Sequence, residues 1–255
     1  MFAILSALAL LASSAMAAEP PLRFSVSDSW TMPLARIENG VATGGILIDM
    51  MTSLAKQLDA PAEFHVIARL RLQNAMERGD IDVRCYTAQS WLPNMSGDYI
   101  WSLPLVMQRD ILIATADDNA PVDPATFTGE TVGTVLGYTY PTLQTRFANG
   151  LLLRDNGRTQ DLVMYKLAAG RYRYAVSNQL SLDWFNAHVP PAQRLRSVGV
   201  VREQELGCYV RNDPNLPVQR ILRTLLRMKM SGEIDRLIEH YQQTAYSDPV
   251  SQAKD

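Results

Sequence analysis

The sequence has almost no net charge, only two cysteines, and no excess of glycine or proline. Among its 255 residues, 24 are Lys or Arg and 26 are Asp or Glu, so the formal net charge is −2. Such a chain lacks the basic excess that nucleic-acid binding requires. The 14 glycines and 14 prolines follow no repeat, which excludes collagen-like chains, and a hydrophobic fraction of 47% excludes intrinsic disorder. The length suits one large or two medium domains with cores of their own.

Signatures of several enzyme classes and of metal sites are also missing. The sequence contains no Gly-x-Ser-x-Gly elbow and no phosphate-binding loop. The three histidines, His65, His188 and His240, are not spaced as metal ligands, so we expect no zinc site and no cofactor. Beyond the N-terminal segment, no stretch is apolar over the ~20 residues that a transmembrane helix needs.

Residues 1–17 are typical of a secretory signal peptide. An apolar run from Phe2 to Leu11 leads to the small-residue sequence Ala15-Met16-Ala17, which predicts cleavage after Ala17. No Lys or Arg precedes the run, which departs from the usual pattern, and an N-terminal helix of the fold is the alternative interpretation. We expect a mature protein of 255 − 17 = 238 residues in the periplasm, without a lipid anchor.

The rest of the chain alternates strand-like and helix-like patterns in two similar units. The first unit predicts strands at 22–26, 63–67 and 81–86 and helices at 46–58 and 72–76. The second predicts strands at 130–135, 151–153 and 172–177 and helices from 141 and at 161–169. Repeated strand–helix–strand units are typical of mostly parallel sheets covered by helices. Two such units predict two lobes with a crevice between them.

Two further strand patterns flank the second unit, at 110–114 and 207–210. If they pair, the chain crosses between the lobes twice and the pair forms a hinge. The predicted fold is therefore α/β, with two mostly parallel sheets joined by a two-strand hinge. We expect lobe 1 to comprise residues 18–109 and 210–255, the latter with the C-terminal helices, and lobe 2 with the hinge strands to comprise 110–209.

Motifs spread over nearly the whole mature chain resemble those of family 3 periplasmic solute-binding proteins, the extracytoplasmic receptors of amino-acid ABC transporters. The segments that carry the resemblance, in matching order and spacing, are Gly44–Asp49, Leu72–Asp82, Trp101–Leu105, Phe127–Gly133 and Met228–Tyr241. The resemblance implies the two-lobed (type II) periplasmic-binding-protein fold and a solute-binding role.

The sequence departs from that family at two ligand-binding positions. Members that bind α-amino acids usually carry Thr-x-x-Arg after the third strand, where this chain has Thr87-Ala88-Gln89-Ser90. They also usually carry an Asp for the α-ammonium group, where this chain has Ser177-Asn178-Gln179. The chain is thus similar to a divergent member whose solute is unassigned.

Ligands of open α/β sheets bind beyond the carboxyl ends of the strands. The predicted ligand-binding residues are Trp30, Arg84, Tyr86, Gln89, Trp91, Gly137, Tyr138, Thr139, Tyr140 and Asn178. Arg69 and Arg71 follow the second strand and are further candidates. A buried Arg84 is costly unless paired, so it either binds a ligand anion or forms a structural salt bridge.

The other predicted positions also have alternative interpretations. Trp30 is either a wall of the binding site or a core side chain. The turn from Gly137 to Pro141 either presents free N–H groups to an anion or is an ordinary capped turn.

The two cysteines, Cys85 and Cys208, are either a disulfide or two reduced core residues. An oxidising compartment would permit the bond. The fold that the resemblance implies would place the two strands near each other in the first lobe. Reduced cysteines would pack as small apolar side chains.

We therefore expect a monomeric, non-enzymatic protein that closes over a small polar solute, amino-acid-like or anionic, and docks on an inner-membrane permease or sensor. One alternative is a periplasmic dehydratase of the cyclohexadienyl dehydratase type, which resembles the same family, with Asp28 or Asp155 as acid or base. Another is a ligand-sensing module without transport.

Overall fold

The computed structural model describes residues 20–92, 97–118 and 120–247, so the predicted signal peptide lies outside the described residues. The strands are β1 Leu22–Ser27, β2 Arg36–Glu38, β3 Val41–Gly44, β4 Ala62–Ile67, β5 Val83–Thr87, β6 Tyr99–Trp101, β7 Val106–Thr115, β8 Glu130–Val135, β9 Leu152–Gly157, β10 Tyr174–Asn178 and β11 Leu195–Arg211. The helices are α1 Ile46–Gln57, α2 Leu72–Glu77, α3 Pro141–Ala148, α4 Gln160–Ala168, α5 Gln179–His188, α6 Val218–Met230 and α7 Glu233–Ser247.

The strands follow the order β4-β1-β5-β11-β7-β10-β8-β9, with β6 beside β11 and β2–β3 forming a separate hairpin. The three strands β4, β1 and β5 are parallel, as are β10, β8 and β9. Between these two groups run β7 and β11, which are antiparallel to each other. Each parallel group is one α/β unit, so the predicted two-lobed fold joined by two strands is confirmed.

The pairing of the hinge strands differs from the prediction. The strand at 207–210 belongs to the 17-residue β11, and this part of it pairs with β5 rather than with 110–114. Residues 110–114 pair instead with the first part of β11 and with β10. The first part of β11 was not predicted because its buried positions do not alternate, since two register shifts interrupt its ladder with β7.

The hydrophobic cores follow the same division. In the first unit, α1 buries Leu47, Met50, Met51 and Leu54, which lie three and four residues apart on one helix face. This face packs in a core that also holds side chains of β1, β5, α6 and the end of β11. The second unit has two cores, one on each face of its sheet. In the part of the chain that the structure describes, no helix combines the length and apolarity needed to cross a bilayer.

Candidate functional site

A pocket lies between the two α/β units and beside the hinge strands. It is lined by eight of the ten predicted ligand-binding residues: Trp30, Arg84, Tyr86, Trp91, Tyr138, Thr139, Tyr140 and Asn178. Gln89 instead lines a separate crevice beside Trp101 and Met107, because the single 3₁₀ turn Gln89–Trp91 directs only its last side chain into the pocket. Gly137 does not line the pocket, although Tyr138 next to it does.

Gly137 allows the second lobe to approach the first. Its φ is 76°, a conformation that favours glycine, and a Cβ atom there would lie 3.0 Å from Leu70 Cδ2. The turn therefore packs directly against the segment that carries Arg69.

Arg84 stands on β5 and is only 4% exposed. Its Nη1 donates a hydrogen bond to the Tyr209 hydroxyl oxygen at 3.2 Å, and its guanidinium carbon lies 5.8 Å from the centre of the Tyr209 ring. The Tyr209 hydroxyl in turn donates to Gln73 Oε1 at 3.2 Å. Among the described residues no carboxylate forms an ion pair with Arg84, so the structure does not support the salt-bridge alternative. Arg84 therefore lines the pocket with a buried charge that no described carboxylate pairs.

Arg69 brings a second guanidinium to the same pocket. It begins the 3₁₀ turn Arg69–Arg71 after β4, and its backbone N–H donates to Asp28 Oδ1 at 3.3 Å. Burial, followed by the like charge of Arg84, lowers the pKa of Arg69 to about 10. No described carboxylate forms an ion pair with its side chain. Arg71, the other candidate, lines a surface depression with Arg23 and His65 instead.

A β-bulge places Arg84 and Tyr86 at the pocket. Gly207 pairs with Thr87 but Tyr209 pairs with Arg84, so β5 has one residue more than β11 over this stretch. Tyr86 takes a φ of 57°, which is uncommon for a residue other than glycine. Between these two residues, Cys85 is fully buried and is disulfide-bonded to Cys208 on β11. The disulfide thus crosses between the strands at the bulge.

Asp110 is a pocket residue that the sequence analysis assigned only to a strand. It stands on β7, where Gln108 Nε2 donates to Oδ1 at 2.6 Å and Gln204 Nε2, from β11, donates to Oδ2 at 2.9 Å. Burial raises the pKa of Asp110 to about 6. A run of Gln, Arg and Asp before the apolar 111–114 was the available signal, because such side chains within a central strand need a reason to be there.

Aromatic rings form the walls of the pocket. Trp30 lies edge-on to Tyr86, with ring centres 6.1 Å apart, and Tyr138 and Tyr140 lie on the other lobe with ring centres 6.4 Å apart. The Tyr140 hydroxyl accepts a hydrogen bond from the Val135 N–H at 3.1 Å, which fixes its ring. Trp30 therefore lines the pocket and also packs on the core of the first unit.

Asn178 caps α5 as well as lining the pocket. Its Oδ1 accepts the Ser181 N–H at 2.9 Å, which satisfies one of the free donors of the helix start. The Oδ1 of this side chain therefore accepts one hydrogen bond from the helix and keeps a second lone pair.

The two lobes touch in this structure. The Ser29 hydroxyl donates to the Tyr138 hydroxyl oxygen at 3.2 Å, and the Gln160 N–H donates to the Ser29 carbonyl oxygen at 3.4 Å. At the far side, the rings of Trp184 on α5 and Tyr241 on α7 lie 6.4 Å apart. The two lobes are therefore closed around the pocket, and residues of both lobes line it.

The two carboxylates considered as catalytic groups lie outside the pocket lining. Asp28 accepts the Arg69 N–H, and Asp155 forms ion pairs with Lys166 at 2.8 Å and Arg171 at 3.0 Å. Nor do the described residues hold a group of three His, Cys, Asp or Glu side chains that would fit a metal ion.

Comparison with known proteins identifies relatives by structure. No protein-family model and no curated protein matches the sequence. An ancestral arginine-binding protein bound to arginine matches with a TM-score of 0.71 at 20% identity, over 87% of this chain and 97% of that one. The GluR0 ligand-binding core in complex with L-glutamate matches with a TM-score of 0.71 at 16% identity, over 90% and 99%.

A third solved structure is a named transporter component. The amino acid ABC transporter substrate-binding protein AbpA from Streptococcus pneumoniae, bound to L-arginine, matches with a TM-score of 0.69 at 16% identity, over 89% of this chain and 97% of that one. The chain thus has the two-lobed fold of amino-acid substrate-binding proteins, at a sequence identity low enough for its ligand to differ from theirs.

Proposed function

We propose that this protein is a periplasmic solute-binding protein that closes over a small anionic solute and delivers it to an inner-membrane ABC permease. Two guanidinium groups in an interlobe pocket, Arg69 and Arg84, carry the proposal, because no described carboxylate forms an ion pair with either of them. Their planar donor geometry suits a carboxylate.

Closure would couple binding to delivery. Lobe 1, residues 18–109 and 210–255, contributes both guanidinium groups, while lobe 2, residues 110–209, contributes Asp110 and the Tyr138 turn. A ligand that contacts both sets favours the closed form by its differential affinity for that form. The protein works as a monomer in this proposal, since both halves of the site come from one chain. The solved neighbours support it: AbpA is a transporter substrate-binding protein of the same fold.

A ligand screen tests the proposal directly. The mature chain, 18–255, is unfolded and refolded to strip bound solute, and its melting temperature and Trp fluorescence are followed with a panel of small carboxylates, amino acids and sugars. We expect at least one carboxylate to raise the melting temperature and to change the emission of Trp30 or Trp91, which line the pocket. The Arg84→Ala variant should lose that response. A panel without any response, in a protein that melts cooperatively, would contradict the proposal.

The partner protein that responds to the loaded form distinguishes transport from sensing. Stimulation of the ATPase of a reconstituted permease encoded beside this gene would support delivery. A neighbouring sensor kinase that responds to the loaded protein would support the sensing alternative instead.

One observation favours a dehydratase as the second candidate function. Asp110 lines the pocket and its pKa is raised to about 6, as a general acid working near neutral pH requires. Incubation with prephenate or arogenate, followed by ultraviolet absorbance of the aromatic product, tests it. The Asp110→Asn variant is the matched control, and equal product from both proteins would exclude Asp110 as the acid.

A further inference from the structure

The ionised side chains that line the pocket carry a net positive charge. Two are cationic, Arg69 and Arg84, and one is a carboxylate, Asp110, which gives +1 when all three are charged. A closed site is best matched by a ligand that cancels its charge, since unpaired buried charge is costly. The sum favours a ligand with one net negative charge over a zwitterion.

The charges of the pocket are also separated along the sheet. In the strand register, Arg84 on β5 lies opposite Tyr209 of β11, and Asp110 on β7 lies opposite Arg202 of β11. These two positions on β11 are 209 − 202 = 7 residues apart. The end of the pocket at Arg84, which would bind an acid, and the end at Asp110, which would accept hydrogen bonds, therefore lie at different levels of the sheet. An α-amino acid carries its carboxylate and ammonium on one carbon, so its ammonium would sit beside two guanidinium groups.

Between these ends the walls are aromatic. Trp30 and Tyr86 from one lobe and Tyr138 and Tyr140 from the other line the pocket. Flat rings stack or pack edge-on against such side chains. The aromatic walls in the middle of the pocket therefore favour contact with a ring over contact with an extended polar chain.

The far end offers hydrogen-bond acceptors. Both oxygens of Asp110 accept one hydrogen bond from a glutamine, which leaves each a further lone pair, and the buried Gln108 Oε1 has no partner. A ligand hydroxyl that donates to Asp110 would satisfy this end without adding positive charge.

We propose that the pocket selects a monoanionic aromatic carboxylate with a hydroxyl group at the opposite end of the ring, and that Asp110 sets this selectivity. The inference rests on the proposed solute-binding function and names its ligand class. Arg69 and Arg84 hold the carboxylate, the aromatic side chains hold the ring, and Asp110 accepts the hydroxyl hydrogen.

Calorimetric titration of ligand-stripped protein at pH 7.5 tests the inference with matched pairs. The probes are 4-hydroxybenzoate, 4-hydroxyphenylacetate and 3-(4-hydroxyphenyl)propanoate, each against the same acid without its hydroxyl. L-tyrosine is 3-(4-hydroxyphenyl)propanoate with an added α-ammonium group, so it tests the effect of that charge. L-arginine and L-glutamate serve as unrelated amino acids. We expect at least one hydroxy acid to bind tenfold or more tightly than its partner without the hydroxyl and than L-tyrosine. In Asp110→Asn the preference for the hydroxyl should fall at least fivefold.

Each other outcome is decisive. Tighter binding of any amino acid than of every hydroxy acid would overturn the inference and leave the solute-binding function supported. Equal binding of the acids with and without the hydroxyl, or an unchanged preference in Asp110→Asn, would overturn the role of Asp110. A protein that binds none of these probes, yet responds to another solute in the wider screen, would overturn the ligand class alone. If the protein binds no probe in the calorimetric titration and responds to no solute in the wider screen, the proposed function is contradicted as well.

Discussion

Arg84 and Tyr209 face each other across the antiparallel strands β5 and β11, and the guanidinium donates to the phenolic oxygen at 3.2 Å. The hydroxyl of Tyr209 then donates to Gln73, so a chain of two hydrogen bonds holds the guanidinium in place. Tyr209 itself is fully buried and packs against Tyr99 and Trp101. The side chain that we expect to bind the anion is thus oriented by a rigid neighbour before any ligand arrives.

The first prediction concerns this pair. Arg84→Lys keeps the charge but loses the two-pronged donor geometry, so we expect affinity for the bound carboxylate to fall at least tenfold. Tyr209→Phe removes one hydrogen bond to a charged group and should weaken binding less, by roughly threefold to tenfold. Calorimetry with the tightest ligand from the screen measures both. A Lys variant that binds as tightly as the natural protein would show that Arg84 does not contact the ligand.

The second prediction concerns the disulfide. Cys85 and Cys208 are 123 residues apart in the chain, so their bond restricts the unfolded chain strongly. We expect the Cys85→Ala/Cys208→Ala variant to lose about 2–5 kcal/mol of unfolding free energy, measured by urea denaturation. Because the flanking Arg84 and Tyr86 line the pocket, ligand affinity should also fall.

A matched control separates the two effects of that variant. Leu226→Ala, at a 40% exposed position on α6, changes a helix that contributes no residue to the pocket lining and should leave affinity unchanged. Equal affinity in the double alanine variant, under conditions where it remains folded, would show that the disulfide stabilises the protein without positioning the binding residues.

The fold was readable from the sequence wherever periodicity was regular. The strand at Glu130–Val135 was predicted with its observed bounds, and the helix at 46–58 ended one residue later than α1 does. Helix α1 buries residues three and four positions apart, and β8 is a short run whose last four residues are all buried. The first part of β11 was missed because two register shifts obscure its pattern, and α5 was not predicted although Ser181, Leu182 and Phe185 are buried at helical spacing.

The site was readable in part for the same reason. Trp30 and the Tyr138 turn follow strand ends, where local rules place a cleft, and Arg84 stood out as a charged residue within a strand. Gln108 lies two residues from Asp110 on β7, but Gln204 reaches Asp110 only through the pairing of β7 with β11, across 94 residues. That pairing depends on a strand whose pattern two register shifts obscure, so sequence alone gave no route to it.

The third prediction is a pH dependence set by Asp110. Its pKa in the folded protein is about 6, above the 3.8 of an ordinary Asp, so the folded state favours the protonated form. The group therefore contributes stability below about pH 4, and the contribution is lost as the pH rises through about 6. The charged and polar groups that act on it are Gln108, Gln204 and Arg202, with Tyr86, Tyr138 and Tyr140 facing it.

Asp110→Asn isolates that contribution, because every other titrating group is common to both proteins. We expect the variant to gain stability relative to the natural protein between pH 4 and pH 6, by on the order of 2 kcal/mol, and the difference to stay constant above pH 7. Urea denaturation without ligand, at pH 4, 5, 6 and 7, measures it. A difference independent of pH would show that Asp110 keeps an ordinary pKa.

The fourth prediction is that the substitution Asn178→Asp shifts the specificity of the pocket toward an amino acid. Asp at position 178 would still accept the Ser181 N–H at the start of α5, where a carboxylate is favourable, so Asn178→Asp should fold normally. Since Asn178 lines the pocket, the new charge lowers the sum over its ionised side chains from +1 to 0. We expect the ratio of affinities for L-tyrosine and 3-(4-hydroxyphenyl)propanoate to shift at least tenfold toward the amino acid. Asn178→Ser retains a neutral cap and should leave that ratio unchanged, whereas an equal shift in both variants would mean that the cap, and not the charge, controls which ligand the pocket accepts.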